Sequence, residues 1–444
     1  MSTHEQAQAT PGSRWRNWGG TETADPVSVR QPRSESEVAE LISDAREHGL
    51  TVKAVGAGHS FSGIAVAPGV QVNLENLRGV RKVDAASGRV TVGAGTHLYE
   101  MPDLLAPHGL AMPNLGDIDK QTLAGATSTG THGTGVGFGG ISTQIVGATL
   151  VDGTGTVRQV DESDPDLKAV ALGLGALGIV TELTLQCVPA FTLTAVENPG
   201  QIDEVLESFG DNVAQYDHYE FFWFPHTTCA LTKTNTRGPV DKPASGPGKV
   251  RRYIDDELLS NSLLGLMCGI GARWPKAVPT FNNIAGRALS PRTVTDVSTT
   301  VFASERKVRF RETEYAIPLE AVPDAVREVR SMIERRGYRV SFPIEVRAAA
   351  ADDLMLSTAS GRASGYIAAH RYSGDDATDS QKYFADFEAI MAAHEGRPHW
   401  GKMHTRDADY LRSAYPKFED FLRVRDRLDP NRVFKNPYLD QVLG

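Results

Sequence analysis

Two stretches of this chain are almost free of large side chains, and they restrict its folding more than any other feature. Residues 55–61 read VGAGHSF and residues 124–135 read AGATSTGTHGTG. Runs of Gly, Ala, Ser and Thr let successive backbone N–H groups turn toward one point and add hydroxyl donors without bulk. Two such loops are able to hold a diphosphate without a lysine, although either one alone reads equally well as a tight turn. The first loop ends a strand signal, LTVKAV at 50–55. That strand closes a β-α-β unit: VSVRQP at 27–32, then a capping box of Ser34 and Glu37, then Val38, Leu41, Ile42 and Ala45 at helical spacing, with Gly49 as the stop.

Other glycine patterns mislead. Gly173, Gly175 and Gly178 match GxGxxG, as do Gly135, Gly137 and Gly140. A dinucleotide fingerprint must follow a strand and open a helix, so that pyrophosphate meets the helix N-terminus. The first match follows a helical stretch (166–172) and leads into a strand (179–188), and the second has no helical segment after it. No GxxxxGK[ST] occurs, so neither a Rossmann nor a P-loop site is expected.

Short β-branched strands are expected across 70–95, and a hairpin across 145–160 turns at 152–155. Beyond Pro189 glycine thins and aromatics rise. Strands are expected at 220–224, 342–350 and 365–372, a helix at 324–336, a Pro/Gly-rich loop at 236–250, and an amphipathic helix at 409–428 interrupted near Pro416.

At 444 residues the chain has room for two domains and a sizeable core. Its net charge of −9 argues against general affinity for nucleic acid or anionic membranes. Cys187, Cys229 and Cys268 are scattered and odd in number, which fits reduced structural thiols and offers no metal-ligand spacing. No run of 18 apolar residues implies a membrane span, and residues 1–14 are polar, without the apolar core of a secretory signal. A disordered start and a cytoplasmic protein are the expectations.

Five segments in order carry a resemblance: VGAGHSFSGIA (55–65), LAGATSTGTHGTG (123–135), GLGALGIVTELTL (173–185), FPIEVR (342–347) and RPHWGKMHT (397–405). Together they resemble the FAD-linked oxidoreductases of the vanillyl-alcohol-oxidase (PCMH) type. Within that type they are most similar to the aldonolactone family of L-gulono-1,4-lactone dehydrogenases and D-arabinono-1,4-lactone oxidases. The resemblance implies an α+β protein. A two-subdomain FAD-binding domain would span 15–190, and an α+β cap 191–444, with about 398–444 returning to the flavin. It implies oxidation of an aldono-1,4-lactone by hydride transfer from a carbinol carbon to FAD N5, with oxygen or another acceptor taking the electrons. An alditol or other carbohydrate oxidase on the same fold is the alternative.

Carried onto this sequence, the resemblance makes His59 the point of covalent attachment to the flavin, with Ala57, Gly58, Ser60 and Phe61 beside it. Thr131, His132, Gly133, Thr134 and Gly135 would line the diphosphate and ring. Gly116 and Asp117 would run along the flavin, Ala126 would sit in the second loop, and Ile179 would meet the adenosine half. Glu345 and Arg347, two apart on a strand, share one face. They would orient the substrate hydroxyl, Glu345 serving either as base or as a holder of Arg347. Lys402 would supply positive charge near flavin N1. His370 would lie near the substrate or pack as a core histidine.

Overall fold

The computed structural model describes residues 10–11, 14–245, 264–303 and 308–444. The first helix, Glu35–Glu47, begins where Ser34 accepts the Glu37 N–H, and it buries Val38, Ile42 and Ala45. Glu37 reaches back to the N–H of Arg33 rather than that of Ser34, so the expected capping box closes one residue early. This helix joins Ser28–Arg30 to Val52–Ala54. Both strands lie parallel to Val70–Val72 between them, in a four-stranded sheet. The remaining strand, Thr10–Pro11, pairs antiparallel with Val29 and Ser28. Those two residues therefore depart from the disorder expected of the start, because main-chain pairing needs no apolar pattern. Of the rest of that expectation, Arg14 is described, exposed and 4.0 Å from Asp25, and residues 1–9 and 12–13 lie outside the described residues.

A second, antiparallel sheet runs Val157–Asp161, Ile145–Val151, Ile179–Gln186, Arg89–Gly93, Val80–Asp84. Its first two strands form the expected hairpin about Asp152 and Gly155. The GLGALG turn enters this sheet from the helix Leu167–Val170. Lys53 holds it by hydrogen bonds to the carbonyls of Leu174 (3.2 Å) and Gly175 (3.1 Å).

The third sheet has eight antiparallel strands, and it positions the chemistry. Its order is Arg292–Val297, Phe191–Gln201, Cys229–Pro239, His218–Trp223, Ile344–Ala349, Ser364–Tyr372, Phe310–Pro318, Arg397–Pro398. The strand Cys229–Pro239 takes up the start of the loop expected at 236–250. Its continuous pairing with Phe191–Gln201 carries Gly238 and Pro239 as an ordinary strand end. Residues 246–250 lie outside the described residues. Helices Val322–Arg336 and Ala377–Ala393 cover one face of the sheet, where Tyr219, Phe221, Tyr315, Val346 and Ile367 meet Val326, Val329, Tyr383 and Phe387. Period-two alternation then sends Glu220, Glu312, Glu314, Glu345, Arg347, Tyr366 and His370 to the opposite face. That face is buried as well.

The expected helix at 409–428 is two, Ala408–Ala414 and Phe418–Leu428, broken around Pro416 as its missing N–H requires. After them Val433 and Phe434 pack among Val38, Ile42 and Val52, so the end of the chain returns to the first sheet. Among the described residues no helix is long and apolar enough to cross a membrane.

Candidate active site

The first glycine-rich loop leaves the end of Val52–Ala54 and turns at Gly58, whose φ of +69° suits a residue without Cβ. Gly56 and Ala57 are exposed. Among the described residues, no acceptor pairs with the backbone N–H groups of residues 56–60. The loop then locks to the chain near its end: the Phe61 N–H donates to Gly401 (2.7 Å) and Ser62 Oγ to Trp400 (2.7 Å). That docking brings Lys402 Nζ to 5.5 Å from the centre of the Phe61 ring. His59 stacks on Trp18 at 5.6 Å, and its ring has no hydrogen-bond partner among the described residues. Burial, with Lys402 and then Lys120 nearby, pushes its pKa down to about 4, so the imidazole is neutral with a free lone pair.

The second loop begins as the short helix Leu123–Thr129, capped by Thr122, and leaves it at Gly130 (φ +76°). Ala126 is fully buried in the core, so this residue reaches the loop only through its carbonyl, which accepts the Gly130 and Thr131 N–H groups. Thr134 Oγ1 donates to the Tyr219 carbonyl and accepts the Ala348 N–H, and the Gly135 N–H donates to Ala348. These bonds seat the loop on the polar face of the large sheet. Gly116 and Gly133 interleave tightly: a Cβ at Gly133 would strike the Leu115 carbonyl, and one at Gly116 the His132 carbonyl. No acceptor among the described residues takes the N–H groups of His132, Gly133 or Thr134.

Charge is concentrated where this loop meets the sheet. Arg347 contacts Glu345, Glu220 (2.9 Å) and Asp117 (3.4 Å). Burial alone would lower its pKa, but the three carboxylates together raise it well above the usual arginine range. Glu220 also holds Lys233 at 3.1 Å. Two strands away, Lys402 Nζ lies 2.5 Å from Glu312, whose other oxygen is 3.5 Å from His370 Nε2. His370 sits between Phe310 and Phe342, with Nδ1 3.3 Å from the Pro343 carbonyl.

Glu314 faces His132 Nε2 at 3.2 Å, while His132 Nδ1 is 2.8 Å from the Gly133 carbonyl. Both ring nitrogens thus meet oxygen atoms. Burial would raise the Glu314 carboxyl, yet His132 beside it holds it well below the usual range. With His399 these two place three candidate ligand atoms within 4.8 Å. In this arrangement His132 Nε2 is taken up by Glu314, and His399 Nδ1 accepts the Gly401 N–H.

The structure therefore gathers His59, Phe61, Lys402, His370, Glu345, Arg347, Asp117 and the loop 131–135 about one region. Ile179 lies apart, opening its strand with its side chain among Val38 and Val52. Sequence reasoning missed Glu220, Glu312 and Glu314. In HYEFFW Glu220 stands between Tyr219 and Phe221, and in FRETEYAIP Glu312 and Glu314 stand among Arg311 and Thr313, as on a solvated strand face; only the covering loops bury them.

The donor-rich loops fit an anionic dinucleotide cofactor: open main-chain N–H groups, close-packed glycines and a neutral, unpartnered imidazole converge beside a lysine. Comparison with known proteins agrees. A family model described as D-arabinono-1,4-lactone oxidase matches residues 183–442, and one described as FAD binding domain matches 26–161. The L-gulono-1,4-lactone dehydrogenase of Mycobacterium tuberculosis (strain ATCC 25618 / H37Rv) is 43% identical over 430 residues, covering 97% of this chain and 99% of that protein. The L-gulonolactone oxidase of Bos taurus is 32% identical over 440 residues, covering 97% and 98%. Among solved structures, cholesterol oxidase from B. sterolicum superposes with a TM-score of 0.82 over 98% of this chain and 97% of that one. At 19% identity that likeness concerns the fold.

Proposed function

The chain belongs to the D-arabinono-1,4-lactone oxidase family, and from that premise we propose that it is an FAD-dependent oxidoreductase converting an aldono-1,4-lactone to its keto form. One observation carries the reading: the donor-rich loops, Lys402 and the Glu345–Arg347 pair converge on a single buried polar face. Residues 15–190 would hold the cofactor and residues 191–444 would cap it.

When bound, FAD supplies the hydride acceptor and passes electrons on to oxygen or another acceptor. The chain's own residues do the rest. The first and second loops present main-chain donors, and the 8α position would be taken by His59, whose neutral ring is already a nucleophile. Arg347 engages Glu220 through Nε and Glu345 and Asp117 through Nη2. The guanidinium so held would donate to a substrate hydroxyl. Glu345, held by Arg347, accepts from the same hydroxyl and stands where its proton would go. Lys402 brings positive charge to the side where negative charge grows. His370, boxed by two phenylalanines, shapes the pocket wall.

The test has two parts. Acid precipitation should leave yellow flavin with the polypeptide, and free flavin in the supernatant would refute the His59 link. Anaerobic mixing with L-gulono-1,4-lactone or D-arabinono-1,4-lactone should bleach the flavin faster than xylitol does. Preference for xylitol would replace the lactone reading with an alditol one. Readmitting oxygen then separates an oxidase from a dehydrogenase.

A further inference from the structure

Two charge clusters lie on the polar face, and among the described residues they set five buried or half-buried carboxylates, Asp117, Glu220, Glu312, Glu314 and Glu345, against Lys233, Arg347 and Lys402. Arg347 and Lys233 serve the first group, at Asp117, Glu220 and Glu345. Glu312 and Glu314 are left to Lys402 and to the rings of His132 and His370. The lysine that the sequence offers as a single positive charge is therefore one half of a contact pair.

Its attachment is double. Lys402 Nζ meets the Glu312 side chain at 2.5 Å, and the N–H of the next residue, Met403, donates to the Glu312 carbonyl at 2.9 Å. The strand Phe310–Pro318 thus fixes both the tip and the root of the lysine. Glu312 is 4% exposed, so solvent does little to screen it, and Glu314 on the same face adds a second negative charge nearby. An ammonium in contact with a carboxylate acts at a few ångströms as a dipole, much weaker than a lone charge.

We propose that Glu312 is a positioning residue that aims Lys402 and offsets its charge, and so sets how strongly this face favours electron uptake by the bound flavin. The proposal rests on the reading of the two loops as a flavin cradle. It makes a signed claim: the carboxylate restrains the effect of the lysine. A purely structural Glu312 would carry no such sign.

Sulfite is the probe, because it adds to oxidised flavins in proteins that stabilise the anionic reduced form. The full-length, flavin-loaded protein is titrated and the loss of flavin absorbance gives a dissociation constant. Glu312→Gln, nearly isosteric, should tighten sulfite binding about tenfold or more, while Lys402→Met should weaken it by a similar factor. Glu312→Asp, which keeps the charge, should stay within about twofold of the parent. Unchanged or weaker binding in Glu312→Gln would overturn the proposal. If Glu312→Gln fails to load flavin, Glu312→Ser takes its place in the same titration with Lys402 intact. It should likewise bind sulfite about tenfold tighter than the parent, and unchanged or weaker binding would overturn the idea. A colourless parent protein would instead sink the cofactor reading, so the two failures remain distinct.

Discussion

Arg347→Met tests the electrostatics of the site without relying on turnover. Arg347 is 7% exposed, and its guanidinium touches three carboxylates, Glu345, Glu220 and Asp117. Methionine fills much of its volume but removes the cation they share. Breaking a buried pair by deleting one partner costs about 3–5 kcal/mol. Lys233, still 3.1 Å from Glu220, offsets part of the loss, so the low end, about 3 kcal/mol, is expected near pH 7.5. The sign with pH follows from Glu220. Burial would raise its carboxyl, but Lys233 and Arg347 outweigh that and hold it below the usual range. Such a group contributes stability above its unfolded pKa and loses it as pH falls through the folded value. Without Arg347 that contribution shrinks, because the carboxylates then protonate more readily. The penalty should therefore be largest at pH 7.5 and diminish toward pH 5. Urea midpoints followed by circular dichroism, for both proteins at both pH values, measure it. A penalty equal at the two pH values, or larger at pH 5, would refute the reasoning.

Three further outcomes follow from other parts of the molecule. Lys402→Ala should retain flavin yet slow anaerobic reduction by L-gulono-1,4-lactone by about 10²–10³, as loss of one preorganised charge contact does; stopped-flow absorbance reads this, and an unchanged rate removes Lys402 from the site. Gly133→Ala drives a Cβ into the Leu115 carbonyl and Asn114 Oδ1, so the purified protein should show a reduced flavin-to-protein absorbance ratio. Lys53 is pushed down to about 7, by burial first and Arg425 second. Its folded pKa lies below the unfolded one, so the parent should gain stability as pH rises from 7 toward 10, and Lys53→Met should flatten that rise in thermal midpoint.

Much of the frame was readable because it rests on local signals. Ser34 and Gly49 bracket a helix, Asp152 to Gly155 make a hairpin turn, and Pro416 breaks a helix, each through chemistry within a few residues. Glu345 and Arg347 were readable as a same-face pair because strand period alone sets that. The occupants of the rest of the face were not. Glu312 and His370 are cross-strand neighbours in the register, as are Glu314 and Ala368, yet 58 and 54 positions separate them in the chain. Sequence periodicity assigns residues to a face but does not say whether that face meets water or another domain. Here a glycine-rich loop some 180 residues upstream closes over it, bringing His132 onto Glu314. The same closure turns an apparently solvated FRETEYAIP strand into the floor of the site. It also changes the chemistry inferred for Lys402: a single basic residue in HWGKMH reads as a lone ammonium, whereas the fold supplies its counter-charge from another strand. Residue identity thus singled out the cation, and only topology set a carboxylate against it.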